Sequence, residues 1–210
     1  MKFNPDSPFF EFMNTLAAFI GLNVLFLITC LPIVTIGPAL SALYTVTLKE
    51  ARKEQGYVFS TYLKAFKKNF PQSAAAFLIQ FVLAFIFVFN AIFWSEQNTV
   101  PGNICMFLMT LLLVVLAFSF LYTFPLLARF QNSLKQTLKN SVAIAITNPK
   151  TTLGLLAIQA VFVIVCIAVP QAKIFMLLLG FAFIAYCNSL LLTRLFSLYE
   201  DDQDTFPVLS

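Results

Sequence analysis

The chain has 210 residues, 60% of them hydrophobic and only 10% charged, with 26 Phe and a mean hydropathy of +0.88. Soluble domains carry about a quarter charged residues, and a fold this small has too little interior to hide so much apolar surface, so lipid is the solvent for much of it. A formal charge of +4 is too small for a nucleic-acid binder, whose basic footprint is dense.

In chain order, apolar runs and polar punctuation predict six membrane spans, at about 9–31, 34–54, 72–94, 104–127, 152–169 and 173–193. Each is near the ~20 residues that cross a ~30 Å hydrocarbon layer. The second is the short one. Its apolar part, residues 34–48, covers only about 22 Å at helical rise, and it continues through "KEARKE", whose long side chains can snorkel to the head groups. Between the first two runs lies "PIVTIGP", with Pro32, Thr35, Gly37 and Pro38. If that stretch is a tight hairpin there are six spans; if it only kinks or re-enters, there are five. Its backbone needs internal partners, because lipid offers none. Pro38 suits the first turn of a new helix. Gly37, Ser41 and Thr45 fall at i, i+4 and i+8, a small-residue stripe suited to close helix packing.

Two loops are basic. Lys49, Arg52, Lys53, Lys64, Lys67 and Lys68 follow the second span, and Arg129, Lys135, Lys139 and Lys150 precede the fifth. Basic loops stay cytoplasmic, which puts both loops and the C-terminus inside. With six spans every basic residue except Lys173 is inside; with five, Lys2 joins Lys173 outside. The loops also share a pattern. "FSTYLKAFKKN" (59–69) and "FQNSLKQTLKN" (130–140) both fit F-x3-L-K-x3-K-N, offset by 71 residues. At 100° per residue the Phe and Leu share one side and the two Lys the other. This predicts two amphipathic helices, 59–70 and 130–144, lying on the inner membrane surface. Lys64, Lys68, Lys135 and Lys139 would then meet an anionic inner leaflet. The duplication is parallel, both copies having one orientation, and it favours six spans, since the second copy is preceded by a full one. The expected fold is an all-α polytopic bundle.

The stretches "LNVLFLITCLPIVTIGPALSALYTV", "YLKAFKKNFPQSA" and "FPLLARFQNSLKQTLKNSVAIAITNPKTTL" together resemble the YesL family of bacterial integral membrane proteins. The resemblance covers most of the chain, and P-I-V-T-I-G-P-A is its most specific element. It implies a small multi-span protein of the bacterial cytoplasmic membrane, with an ABC-type sugar uptake complex as the partner class. It supplies no catalytic residues.

The search for chemistry is mostly negative. There is no His, which removes the commonest metal ligand and general base. Cys30, Cys105, Cys166 and Cys187 lie in apolar runs without C-x-x-C spacing and read as packing residues. No phosphate loop, nucleophile elbow or dinucleotide fingerprint occurs, and the first apolar run exceeds the 7–15-residue core of a cleavable signal. The sequence therefore predicts no enzyme, no cofactor and no metal. Glu11 reads as an interfacial acid, Arg129 as a snorkelling end residue, and the intramembrane Asn and Gln as interhelical hydrogen-bonders. Two function classes remain: an accessory or regulatory protein of another membrane complex, and a small solute transporter or channel acting as a homo-oligomer.

Overall fold

The computed structural model describes residues 8–201 except 55, 98 and 170, and the side chains of that range except at 8–12, 172, 200 and 201. The expectations for Glu11 and Lys2 thus lie outside the described side chains. Helix α1 (Pro8–Thr29) stops just before Pro32, whose predecessor is sterically kept out of helical geometry. A 3-10 turn (Ile33–Thr35) leads into α2 (Ile36–Ala51). The turn has its own donors: the Thr35 hydroxyl has one proton to donate to either of two carbonyls in reach, Thr29 O at 2.6 Å or Pro32 O at 2.7 Å, and the Thr35 N–H donates to Pro32 O at 3.0 Å. Outward it is apolar, with Leu31 80% and Ile33 60% exposed. Pro38, buried in the first turn of α2, lacks an N–H that would have had no intrahelical partner.

Helix α3 (Val58–Ser95) is 38 residues long, about 57 Å. The expected surface helix 59–70 is not a separate element but the first turns of α3, which continue through Pro71. Its protein-facing side is not the Phe59–Leu63 side. Tyr62 and Ala65 are buried while Phe59, Leu63 and Phe70 are exposed, because α2 packs on the Tyr62 side. Helix α4 (Val100–Arg129) starts at Thr99, whose hydroxyl accepts the Gly102 N–H at 3.2 Å. Helix α5 (Leu134–Thr147) begins four residues later than the expected 130. Phe130 is extended and caps α4, and the Ser133 hydroxyl accepts the Gln136 N–H to start α5. The second copy of the repeat is then broken at Asn148, where α6 (Pro149–Ala168) begins, whereas α3 runs unbroken through the equivalent place. The last element is α7 (Ala172–Phe175), which passes through a π turn (Met176–Gly180) into α8 (Phe181–Asp201).

Among the described residues there is no strand. By length and composition α3, α4, α6 and residues 173–199 can cross a membrane, so this is a multi-pass membrane protein; α1 adds a shorter apolar stretch (Met13–Thr29), and α2 has only 16 residues.

The helix directions follow from their contacts. Phe19 packs on Tyr186 and Phe26 on Phe181, with ring centroids 5.4 and 5.7 Å apart. Between them the Asn23 amide donates to Leu177 O at 2.7 Å and accepts the Ala182 N–H at 3.0 Å, satisfying backbone groups at the π turn. So α1 and α8 are antiparallel. Helices α2 and α8 are parallel, joined by Asn188 to the Tyr44 hydroxyl (3.1 Å) and Thr47 to Ser189 (2.8 Å). The C-terminal ends of α2, α4 and α8 meet around a cavity of about 50 Å3 that includes Arg52, Arg129 and Ser197. Thr15 of α1 lies near Glu50 at that same end.

Among the described residues, buried side chains cluster along the helix contacts. Leu22, Leu43, Tyr62 and Ala182 form one cluster, and Leu48, Tyr122, Ile144 and Leu192 another. A third, with Phe77, Phe124 and Leu127, joins α3 to α4. Beyond it, the second half of α3 and the first half of α4 expose Phe85, Phe89 and Phe107, a surface suited to lipid and costly in water. Near its far end α3 carries Trp94, edge-on to Phe93 at 5.5 Å.

Candidate functional site: a cationic cleft

Helices α2 and α3 are antiparallel and touch most closely at Gly37. A Cβ there would collide with the Ser73 carbonyl and Phe77. One turn on, the Asn69 amide donates to the Ser41 hydroxyl at 3.0 Å and, more weakly, to Leu127 O at 3.4 Å. Asn69 thereby ties α3 to both α2 and α4. A further turn on, the helices part and leave a cleft of about 560 Å3, closed on its third side by the end of α4 and the segment after it.

Its lining follows helical spacing. Thr45 and Lys49 continue the i+4 series begun by Gly37 and Ser41. On α3, Thr61, Lys64, Lys68 and Gln72 share one face. Arg129 comes from the last residue of α4, with Gln131 and Asn132 just beyond it. Gln72 fixes that segment by donating to the Asn132 carbonyl. The Asn132 amide nitrogen is buried without a hydrogen-bond partner, a donor left over in the wall.

The electrostatics are one-sided. Lys49, Lys64, Lys68 and Arg129 line the cleft, and among the described residues no Asp or Glu does. Among the described residues Lys49, Lys64 and Lys68 make no ion pair; the salt bridge of this region, Arg52 to Glu54 at 3.0 Å, lies outside the cleft. Like charges at i and i+4 on a helix repel by a few tenths of a kcal/mol, so Lys64 and Lys68 oppose the fold unless an anion sits between them. Lys49 and Arg129 are half-buried, where charge is less screened than on the exposed Lys64 and Lys68. Cations, amides and hydroxyls offer many donors, and among the described residues no carboxylate lines the cleft to act as a base. The arrangement suits anion binding.

Of the residues singled out in the sequence, Thr45, Lys64, Lys68 and Arg129 converge here, and Gly37 and Ser41 fix the packing that opens the cleft. Pro32 and Thr35 form the turn at the other end of α2, and Pro38 is buried behind it. Lys135 and Lys139 are exposed on α5 and do not line the cleft. Sequence reading passed over Lys49, Asn69, Gln72 and Asn132. Lys49 was discoverable by extending the small-residue stripe one more turn, and Asn69 closes the repeat motif. Gln72 and Asn132 gave no signal, since their roles depend on where α4 ends.

A second polar group lies deeper. The Gln80 amide donates to the hydroxyls of Ser119 (3.2 Å) and Thr123 (2.9 Å), and Ser119 meets Ser141 at 2.6 Å. These bonds join α3, α4 and α5 and read as interhelical glue. Among the described residues no group of His, Cys, Asp or Glu is placed to hold a metal ion.

Comparison with known proteins points to a family of undefined activity. Residues 19–91 match the family described as "Protein of unknown function, DUF624", which takes in the second half of α1, α2 and most of α3, including the cleft walls that α2 and α3 supply. No solved structure matches the chain. The Uncharacterized protein YesL of Bacillus subtilis (strain 168) is 32% identical over 142 residues, a match covering 67% of this chain and 66% of that protein, just under two thirds of its length. The two matches agree with each other, and the chain belongs to the YesL family.

Proposed function

We propose that the protein is a non-enzymatic accessory or regulatory protein of a bacterial cytoplasmic membrane, presenting its cationic cleft to the cytosol. The observation that carries the reading is the cleft itself, lined by cations, amides and hydroxyls. Its sidedness rests on the cytoplasmic bias of basic residues: Lys49, Arg52, Lys64, Lys68 and Arg129 all gather at one end of the bundle. The antiparallel pairing of α1 with α2 and α8 supports the six-span topology with both termini at that end. In it α2 is the shortest crossing, and the apolar turn at Leu31 and Ile33 rests at the outer edge of the hydrocarbon. Helix α5 and the first turns of α3 lie at the inner surface, where each exposed Lys gains about 1 kcal/mol from anionic lipid.

The partner class is an ABC-type sugar uptake complex, as the sequence resemblance suggests. Affinity capture of the full chain in mild detergent tests this. Stoichiometric recovery of uptake-complex subunits is expected, and their absence removes the partner. The other class left by the sequence is a small solute transporter or channel acting as a homo-oligomer. Recovery of a self-assembly alone, with solute flux in liposomes, would replace the first reading by that one.

A further inference from the structure

We infer that the cavity among α1, α2, α4, α6, the π turn and α8 binds a flat, uncharged lipophile bearing carbonyl oxygens, the chemistry of a quinone ring. The site is separate from the cytosolic cleft and needs no partner protein. Its volume is about 340 Å3, within the ~300–1,000 Å3 of small-molecule sites. The packing of α6 opens it. Near their cytosolic ends α4 and α6 are tied by the Tyr122 and Thr152 hydroxyls at 2.9 Å. Beyond that tie α6 packs on α8, with Phe162 and Phe183 6.0 Å apart, and the space left toward α4 is the cavity.

Two polar side chains border the cavity, and both have hydrogen-bonding capacity to spare. The Tyr44 hydroxyl accepts the amide of buried Asn188 at 3.1 Å. A phenol also has one proton to give, and among the described residues none receives it. The Gln159 amide has no hydrogen-bond partner among the described residues. Gln159 stands near the middle of α6, about 14–15 Å from either end, and α6 is just long enough to cross. Unpaired polar groups at that depth are costly, because hydrocarbon offers them nothing. Depth then selects the ligand. Phospholipid carries its ester and phosphate oxygens at the edge of the hydrocarbon layer, about 15 Å from its centre. The acyl chains that reach the centre bear no acceptor. A neutral ring with carbonyl oxygens enters without a charge to desolvate, and Tyr44 and Gln159 can each donate to one of those oxygens. The walls suit a flat ring. Phe26 of α1 and Phe181 of α8 lie 5.7 Å apart, and Phe120 and Phe124 of α4 lie 5.0 Å apart.

The test uses the full chain in phosphatidylcholine nanodiscs, with thermal unfolding followed as a short-chain alkyl benzoquinone is added. The matched alkylbenzene, with the same chain and no carbonyl, is the control. A ligand that binds only the folded protein raises the unfolding temperature in proportion to its occupancy. The benzoquinone should give a saturable rise and the alkylbenzene none. Y44F and Q159L should each weaken the apparent affinity about fivefold, the usual effect of losing one hydrogen bond. N90L removes an intramembrane amide that does not border the cavity, and it should change the affinity less than about twofold. Y44F also takes away the group that Asn188 bonds. Should that variant not fold, Q159L gives the independent reading, since its amide holds none of the described residues in place. Absence of a saturable rise with the benzoquinone overturns the inference. So does an equal rise with the alkylbenzene, which would mark apolar filling alone, or an affinity left unchanged by Q159L.

Discussion

Gly37 sits where α2 and α3 come closest, and its missing side chain sets the distance between them. The atoms a methyl group would meet are the Ser73 carbonyl and Phe77 Cβ, backbone and core rather than the tip of a flexible side chain. Gly37→Ala should therefore destabilise the protein by about 1–3 kcal/mol, the usual effect of overpacking a close contact. Gly56→Ala is the matched control. Its new methyl would lie 3.5 Å from the Thr61 hydroxyl oxygen, an ordinary contact, and its backbone does not need left-handed geometry. Thermal unfolding in detergent should show a clear loss for the first and none for the second. Equal behaviour would mean that α2 and α3 can separate without consequence. Asn23 acts by the opposite principle, adding atoms where the backbone lacks partners. The π turn displaces the regular helical ladder, and one amide from α1 meets both Leu177 O and the Ala182 N–H.

At the scale of the element, α1–α2 decides topology. A single Cys at Ser7, in a background lacking Cys30, Cys105, Cys166 and Cys187, should resist an impermeant thiol reagent in intact cells, while one at Gln97 between α3 and α4 should react. Labelling of Ser7 as strong as that of Gln97 would return the five-span topology. How far the elements were legible follows from what sets them. Long apolar runs such as 104–127 became helices because burial in lipid leaves the backbone no other partner. "PIVTIGP" became a turn because Pro32 bars helix before it and Pro38 permits helix after it. The inner-surface segments were less legible. Hydrophobic periodicity put Phe59, Leu63 and Phe70 on one side, to lie in lipid or against the bundle, and the structure buries Tyr62 and Ala65 instead. In a membrane protein an exposed apolar side can face lipid, so periodicity marks two faces without saying which one the protein keeps. The cleft was half legible: Thr45, Lys64, Lys68 and Arg129 were singled out for separate reasons, and only the antiparallel contact of α2 with α3 brings them together.

At the scale of the molecule, charge and apolar surface separate. The cations gather where α2, α4 and α8 end, and the opposite end of α3 and α4 is a hairpin clothed in Phe, Leu and Ile. Uncharged polar side chains such as Gln80, Ser119 and Thr123 lie between the two, each bond of this kind adding about 0.6–2 kcal/mol in lipid. This polarity gives the protein a built-in optical ruler. The chain has one Trp, and it stands at the far end of the longest helix, one residue before that helix stops. All indole emission therefore comes from a single depth in the bilayer, at the face opposite the cleft. Amphipathic indoles favour the interface. Lipids brominated near the head group should therefore quench Trp94 more than lipids brominated near the chain ends. The reverse order would mean that the α3–α4 hairpin stops short of the outer surface.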